Sequence, residues 1–79
     1  MNEYKLLKRS TKEINLLTSD MSDEELELRE KEAMNQYINE LEFKKSNRYK
    51  SVRILRNRWH LLLSAWYIRR MNNIFGVKL

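Results

Sequence analysis

The sequence contains no cysteine, no proline and only one glycine, Gly76. Without cysteine the chain forms neither disulfides nor thiolate metal sites, and cysteine-based catalysis is excluded. β-Hairpins and tight turns rely on glycine, proline or Asn-Gly pairs, which are almost missing here. These absences together predict an all-α fold.

Long apolar runs are absent too. No stretch approaches the roughly 18 consecutive apolar residues that span a membrane, and the densest run, Trp59 to Ile68, is interrupted by His60 and Ser64. The first 13 residues lack the continuous apolar segment of a secretory signal. We therefore expect a soluble, cytoplasmic protein and no membrane partner.

Catalytic and metal-binding patterns are equally scarce. His60 is the only histidine, and although Ser64 lies four residues later, a nucleophile site would need a carboxylate to orient the imidazole. Residues 43–79 contain no carboxylate side chain. The glutamate-rich run 24–32 lacks the Glu-x-x-His spacing of bundle metal sites. We expect neither an enzyme nor a cofactor, and we interpret His60 as a structural or partner-contacting residue.

The charges are distributed unevenly along a chain whose formal net charge is +5. All 11 acidic residues lie between Glu3 and Glu42, whereas residues 44–79 carry ten of the 16 basic residues and no acidic one. The two halves could neutralise each other as antiparallel helices, but a positive surplus would remain. The asymmetry therefore indicates an acidic partner for the basic half.

The chain is so short that its folded state is expected to have a small margin of stability. With 79 residues it forms one domain, residues 1–79, and buries only roughly 60 to 65% of the surface that its unfolded form exposes. Small domains compensate with disulfides, metals, oligomerisation or a tightly packed core. Since the first two are not indicated, we expect a packed helical core, a homodimer, or both.

The strongest helix signal begins at Ser22. Glu25 follows three residues later, which is the capping-box pattern, and apolar residues then recur at spacings of three and four up to Leu41. We predict an acidic amphipathic helix over residues 22–45. Oppositely charged i, i+4 pairs support it at Glu25–Arg29, Glu27–Lys31 and Glu40–Lys44.

The only weak break before the basic half is Ser46-Asn47, and either residue could cap a new helix. One uninterrupted helix is the alternative, but a hairpin would bury its own apolar surface, and we prefer it. The second helix would cover residues 47–75 and stop at Gly76. Residues 1–18 are predicted to be helical, although residues 14–18 alone could form a short strand. The expected architecture is a small helical hairpin or three-helix bundle with a long basic C-terminal helix.

The last helix carries apolar residues on two faces when its residues are placed about 100° apart. One face contains Val52, Leu55, Trp59, Leu62, Leu63 and Trp66, and the nearly opposite face contains Ile54, Leu61, Ala65 and Ile68. A helix with two apolar faces needs two neighbours. The acidic helix is one, and the N-terminal segment, a second copy of the chain or a partner protein could be the other.

Seven basic residues lie within the 15 residues from Lys44 to Arg58. Arginine pairs bidentately with phosphate, and a tyrosine among basic residues could stack on an unpaired base. The pattern is also typical of a solvated face that pairs with the acidic helix. Since standard DNA-binding motifs are missing, we expect backbone contacts, with RNA favoured over DNA. The candidate nucleic-acid-binding residues are Lys44, Lys45, Arg48, Tyr49, Lys50, Arg53, Arg56 and Arg58.

A second class of function rests on the aromatic residues that follow. Exposed tryptophan and arginine anchor interfaces, whereas buried tryptophan forms cores. The candidate partner or dimer interface comprises Trp59, Leu62, Leu63, Trp66, Tyr67, Arg69 and Arg70. The short, basic, cysteine-free profile resembles, in type only, the small regulatory proteins that phages make against host machinery. The sequence thus predicts a non-catalytic, homodimeric regulatory protein that binds nucleic acid or, alternatively, inhibits or modulates a partner protein through this interface.

Overall fold

The computed structural model describes residues 10–76. Over this part of the chain the secondary structure consists of three helices and no strand: α1 (Thr11–Leu17), α2 (Asp23–Lys44) and α3 (Lys50–Phe75). The all-α prediction is therefore confirmed, and α2 and α3 pack along each other as a hairpin. The part of the predicted N-terminal helix before residue 10 lies outside the described residues.

Serine side chains fix the starts of α1 and α2. Ser22 Oγ accepts a hydrogen bond from the Glu25 N–H at 3.1 Å, and Ser10 Oγ accepts one from the Glu13 N–H at 3.1 Å. These bonds satisfy amide groups that have no intrahelical acceptor. α1 consequently begins at Thr11, directly after its N-cap residue Ser10, so that residues 11–17 of the predicted N-terminal helical segment are helical.

The turn between α2 and α3 uses its polar side chains differently from the prediction. Ser46 Oγ accepts a hydrogen bond from the Arg48 N–H at 3.1 Å, and Asn47 Oδ1 accepts one from the Tyr37 hydroxyl at 3.2 Å. Neither residue caps a helix, because both close the turn. α3 therefore begins at Lys50 instead of residue 47.

The core lies where all three helices meet. α1 packs on α3 and contributes Ile14 to this core, so the N-terminal segment is a second neighbour of α3. Because α1 has only 7 residues, Ile54 on the same face as Ala65 stays 54% exposed. None of the helices within residues 10–76 is both long and apolar enough to cross a bilayer. The buried core residues are Ile14, Leu26, Ala33, Leu62, Ala65 and Ile68.

Candidate functional site

Basic side chains gather at the end of the hairpin where α2 passes into α3. Lys45 ends α2 by adopting the left-handed conformation, with φ of 55°, and the chain reverses direction over the next residues. This reversal brings cations from both sides of the break into one patch, in which only Lys44 is half-buried and the others are exposed. We call this patch the basic turn, and it comprises Lys44, Lys45, Arg48, Tyr49 and Lys50.

Among the described residues, the ion pairs of the acidic helix do not include the basic turn, although Glu40 and Glu42 lie near the end of α2. Within α2, ion pairs join Glu25 to Arg29 at 3.1 Å and Glu27 to Lys31 at 3.5 Å, as the i, i+4 spacing predicts. No ion pair between residues of the described range involves the basic turn. Most carboxylates of α2 lie in its first ten residues, towards the far end of a molecule whose longest dimension is 41 Å.

Aromatic rings lie among these cations. The Lys44 ammonium nitrogen is 4.9 Å from the Tyr49 ring centroid and 5.8 Å from the Phe43 ring centroid. Lys44 thus contacts a ring, and its predicted i, i+4 ion pair with Glu40 is not among those of the described residues. Sequence reasoning did not select Phe43. Its position outside the apolar stripe of α2 is the signal by which it could have been found.

The first turn of α3 leaves its amide groups open. Tyr49 is the N-cap residue and makes no side-chain cap hydrogen bond, and the first turn contains no acidic residue. The first intrahelical bond runs from the Arg53 N–H to the Tyr49 carbonyl oxygen at 3.1 Å. The preceding amides have no intrahelical acceptor, and together with the helix dipole they favour an anion.

The other three candidate nucleic-acid-binding residues lie further along α3. Arg53 and Arg56 are half-buried, and each already interacts with other groups of the protein. Arg58 is exposed and donates a hydrogen bond to Gln36 Oε1 on α2 at 3.5 Å. The structure therefore brings together only the five candidates of the basic turn.

The candidate interface residues divide between the core and the surface. Leu62 is buried, and Trp59 and Trp66 are half-buried against the core. Trp59 Nε1 donates a hydrogen bond to Glu30 Oε2 at 2.7 Å, and its ring stacks on Tyr37 with the centroids 5.7 Å apart. Both tryptophans therefore help to pack α3 against the core of its own chain.

Arg69, another candidate interface residue, connects α3 to the start of α2. Its guanidinium donates to the carbonyl oxygens of Thr18 and Met21, the latter at 2.6 Å, and to Asp23 Oδ1 at 3.0 Å. Thr18 is buried and donates its hydroxyl to the Ile14 carbonyl oxygen at 2.9 Å. The side chain of Arg69 is thus committed to the fold.

A third apolar stripe remains open on the C-terminal half of α3. Leu63 is half-buried, and Tyr67, Met71 and Ile74 are exposed at spacings of three and four residues. We call these four residues the outer stripe. Arg70 borders it, with its guanidinium 4.9 Å from the Trp66 ring centroid. The sequence analysis assigned α3 two apolar faces, placed Leu63 on the first of them, and missed this third stripe.

His60 lies beside the core and away from any carboxylate cluster. Its ring centroid is 5.1 Å from that of Trp59. Burial lowers the pKa of His60 below its ordinary value of 6.5, and the positive charge of Arg56 lowers the pKa further. Among residues 10–76 no group of three or more histidine, aspartate or glutamate side chains could hold a metal ion.

Comparison of the chain with protein-family models, with curated proteins and with solved structures found no match.

Proposed function

We propose that this protein binds nucleic acid, RNA in preference to DNA, through phosphate contacts at the basic turn. One observation carries the proposal. Lys45, Arg48 and Lys50 are exposed and, within residues 10–76, take part in no ion pair, although an acidic helix runs beside α3. Like charges at one end of a small domain repel one another, and a polyanion relieves that repulsion.

The turn offers several kinds of group that bind phosphate. Lysine contributes point charges, and Arg48 contributes a planar fork that matches two phosphate oxygens. The uncapped start of α3 adds backbone N–H donors and the positive end of a helix dipole. Displacement of counterions by such contacts supplies most of the affinity in sequence-independent binding. Tyr49 is half exposed and can stack on an unpaired base, which favours RNA.

A charge-matched pair of triple variants tests the proposal. The first replaces Lys45, Arg48 and Lys50 with Gln, and the control replaces Lys12, Arg29 and Lys31, which are exposed basic residues elsewhere. Both lose three positive charges. When the salt concentration falls from 1 M to 0.1 M, each phosphate contact on a single strand raises the logarithm of the binding constant by about 0.7. Loss of three contacts should therefore weaken binding by the first variant about 100-fold at 0.1 M salt.

Fluorescence anisotropy with a labelled single strand of about 12 nucleotides measures this difference. The control variant should bind within a few-fold of the wild type, because it lacks only general attraction. Equal weakening by both variants would mean that net charge, and not the basic turn, holds the nucleic acid. Absence of wild-type binding even at low salt would contradict the proposal outright.

Protein binding is the second candidate function, and the outer stripe is the observation that favours it. Exposed apolar residues at helical spacing are typical of surfaces that dock another helix. A second copy of the chain could cover the outer stripe, which would give the expected homodimer. An acidic partner protein could also cover it, because Arg70 borders the stripe. Sedimentation equilibrium tests self-association: the wild type should exceed its 9.8 kDa monomer mass at micromolar concentration, whereas Met71→Glu should remain a monomer.

A further inference from the structure

Phe43 has the most exposed large apolar side chain of the described residues, at 79%. It lies in the last turn of α2, outside the stripe that packs on α3, and Lys44 and Lys45 follow it directly. A phenyl ring in water gains nothing for the fold, because burial is what makes apolar side chains stabilising. The ring is therefore available to a ligand, and the phosphate contacts of the proposed function do not use it.

Phe43 and Tyr49 form one aromatic patch. The ammonium of Lys44 lies 5.8 Å from the Phe43 ring and 4.9 Å from the Tyr49 ring, so one cation contacts both. Phe43 is fixed in the last turn of α2, and Tyr49 is fixed as the N-cap residue of α3. Since each ring is attached to a helix end, the backbone positions that carry the two rings are set before any ligand arrives, which lowers the entropic cost of binding.

We infer that Phe43, together with Tyr49, stacks on unpaired bases, so that the basic turn selects single-stranded over double-stranded nucleic acid. This inference rests on the proposed function and specifies its ligand class. The faces of a base are accessible to an aromatic side chain only where the base is not already stacked in a duplex. Lys44 then supplies a positive charge between the two stacked positions, where the strand carries its phosphate.

The surroundings of Phe43 favour a nucleic acid over a protein as the occupant. The centre of a protein interface is depleted in charged residues, and lysine in particular is depleted there. Around Phe43 the turn instead presents Lys44, Lys45, Arg48 and Lys50. Interleaved rings and cations are what proteins that bind single strands use, since each base has a face and each nucleotide a phosphate.

The test compares binding of oligo-uridine of about 12 nucleotides with binding of an RNA duplex of the same length, at one salt concentration. Phe43→Ala should weaken single-strand binding by about 5- to 100-fold and leave duplex binding unchanged. Phe43→Tyr keeps a ring and should retain affinity, whereas Phe43→Leu keeps apolar bulk without a π face and should not. Circular dichroism checks that each variant keeps its helices.

Phe75 provides the matched control. It is also a phenylalanine, 67% exposed, but it lies at the last residue of α3, away from the basic turn. Phe75→Ala should leave both affinities at the wild-type value. The inference is overturned, and the proposed function survives, if the wild type binds both RNAs and Phe43→Ala changes neither or both equally. A wild type that binds neither RNA at low salt overturns the proposed function as well.

Discussion

The start of α2 and the start of α3 differ in how the backbone N–H groups of the first helical turn are satisfied. At α2, Ser22 caps an open amide, and three acidic residues occupy the first turn, where the helix dipole favours negative charge. At α3, Tyr49 supplies no side-chain cap, and the first turn carries Lys50 and Arg53. A missing cap alone costs about 1 kcal/mol. The chain therefore forgoes stability at the one helix start that the proposal assigns to binding.

The two ends of the hairpin differ in the same direction. At the end that contains the start of α2, Arg69 bonds to two backbone carbonyls and to Asp23. At the other end, the cations of the basic turn take part in no ion pair within residues 10–76. Locally unfavourable choices in natural proteins concentrate at functional sites. The difference thus indicates which end of the hairpin stabilises the fold and which end remains available to a ligand.

The largest expected effect comes from breaking the stable end. Arg69→Met should destabilise the protein by about 2 to 4 kcal/mol, because it removes three hydrogen bonds of a charged donor and takes the guanidinium donor away from the partly buried carbonyl oxygen of Met21. Arg70→Met is the control, since Arg70 is exposed and stacks on Trp66, which is worth about 0.5 to 1 kcal/mol. Urea unfolding followed by circular dichroism measures both. Equal losses for the two variants would show that Arg69 does not connect the helices as described.

A smaller effect follows from giving α3 the cap that α2 has. Tyr49→Asn and Tyr49→Asp should each stabilise the protein by about 0.5 to 1 kcal/mol, because either side chain can accept from an open amide of the first turn. The two variants differ only in charge. Both variants should bind nucleic acid more weakly than the wild type, because each removes the ring and occupies an amide that the proposal assigns to phosphate. Tyr49→Asp should bind more weakly than Tyr49→Asn, since it also places a carboxylate among the phosphate contacts. Identical affinities of the two variants would contradict the role of the α3 start.

The smallest effect concerns His60, which lies between the two ends. Its folded-state pKa is lowered, so the unfolded chain takes up the proton more readily than the folded chain. Stability from this residue is therefore complete above the unfolded pKa of about 6.5, and it is lost as the pH falls from that value through the lower folded-state pKa. His60→Gln should shrink the decrease in the urea midpoint between pH 7.5 and pH 5.5. The same decrease in both proteins would contradict this assignment.

The helices could be predicted from the sequence because the residues that mark their starts and ends are close together along the chain. Ser22 and Glu25 mark the start of α2, and Gly76 follows the last residue of α3 and has φ of 66°. The Ser10–Glu13 pair has the same capping-box spacing, and recognising it would have placed the start of α1. The start of α3 could not be predicted from a capping pattern, because Ser46 and Asn47 form hydrogen bonds within the turn and no side chain caps the helix.

The candidate site was only partly predictable, since sequence spacing does not show which side chains are engaged in tertiary contacts. The positive cluster was visible, but Arg53 and Arg56 turn out to be half-buried, and Trp59 is held by Glu30 on another helix. Conversely, the position of Phe43 outside the apolar stripe of α2 is a sequence signal, but its exposure of 79% is seen only in the structure. Burial thus separates residues of one chemical type into those that stabilise the fold and those that remain free for a ligand.

Salt dependence tests most directly the claim that the basic turn is the nucleic-acid contact. For a single strand, four phosphate contacts from Lys44, Lys45, Arg48 and Lys50 predict that log Kobs falls against log salt with a slope of about −3. Replacing the last three with Gln should bring the slope to about −1, whereas the control triple variant at Lys12, Arg29 and Lys31 should keep it near −3. A slope that is equal in all three proteins, or near zero in the wild type, would contradict the account.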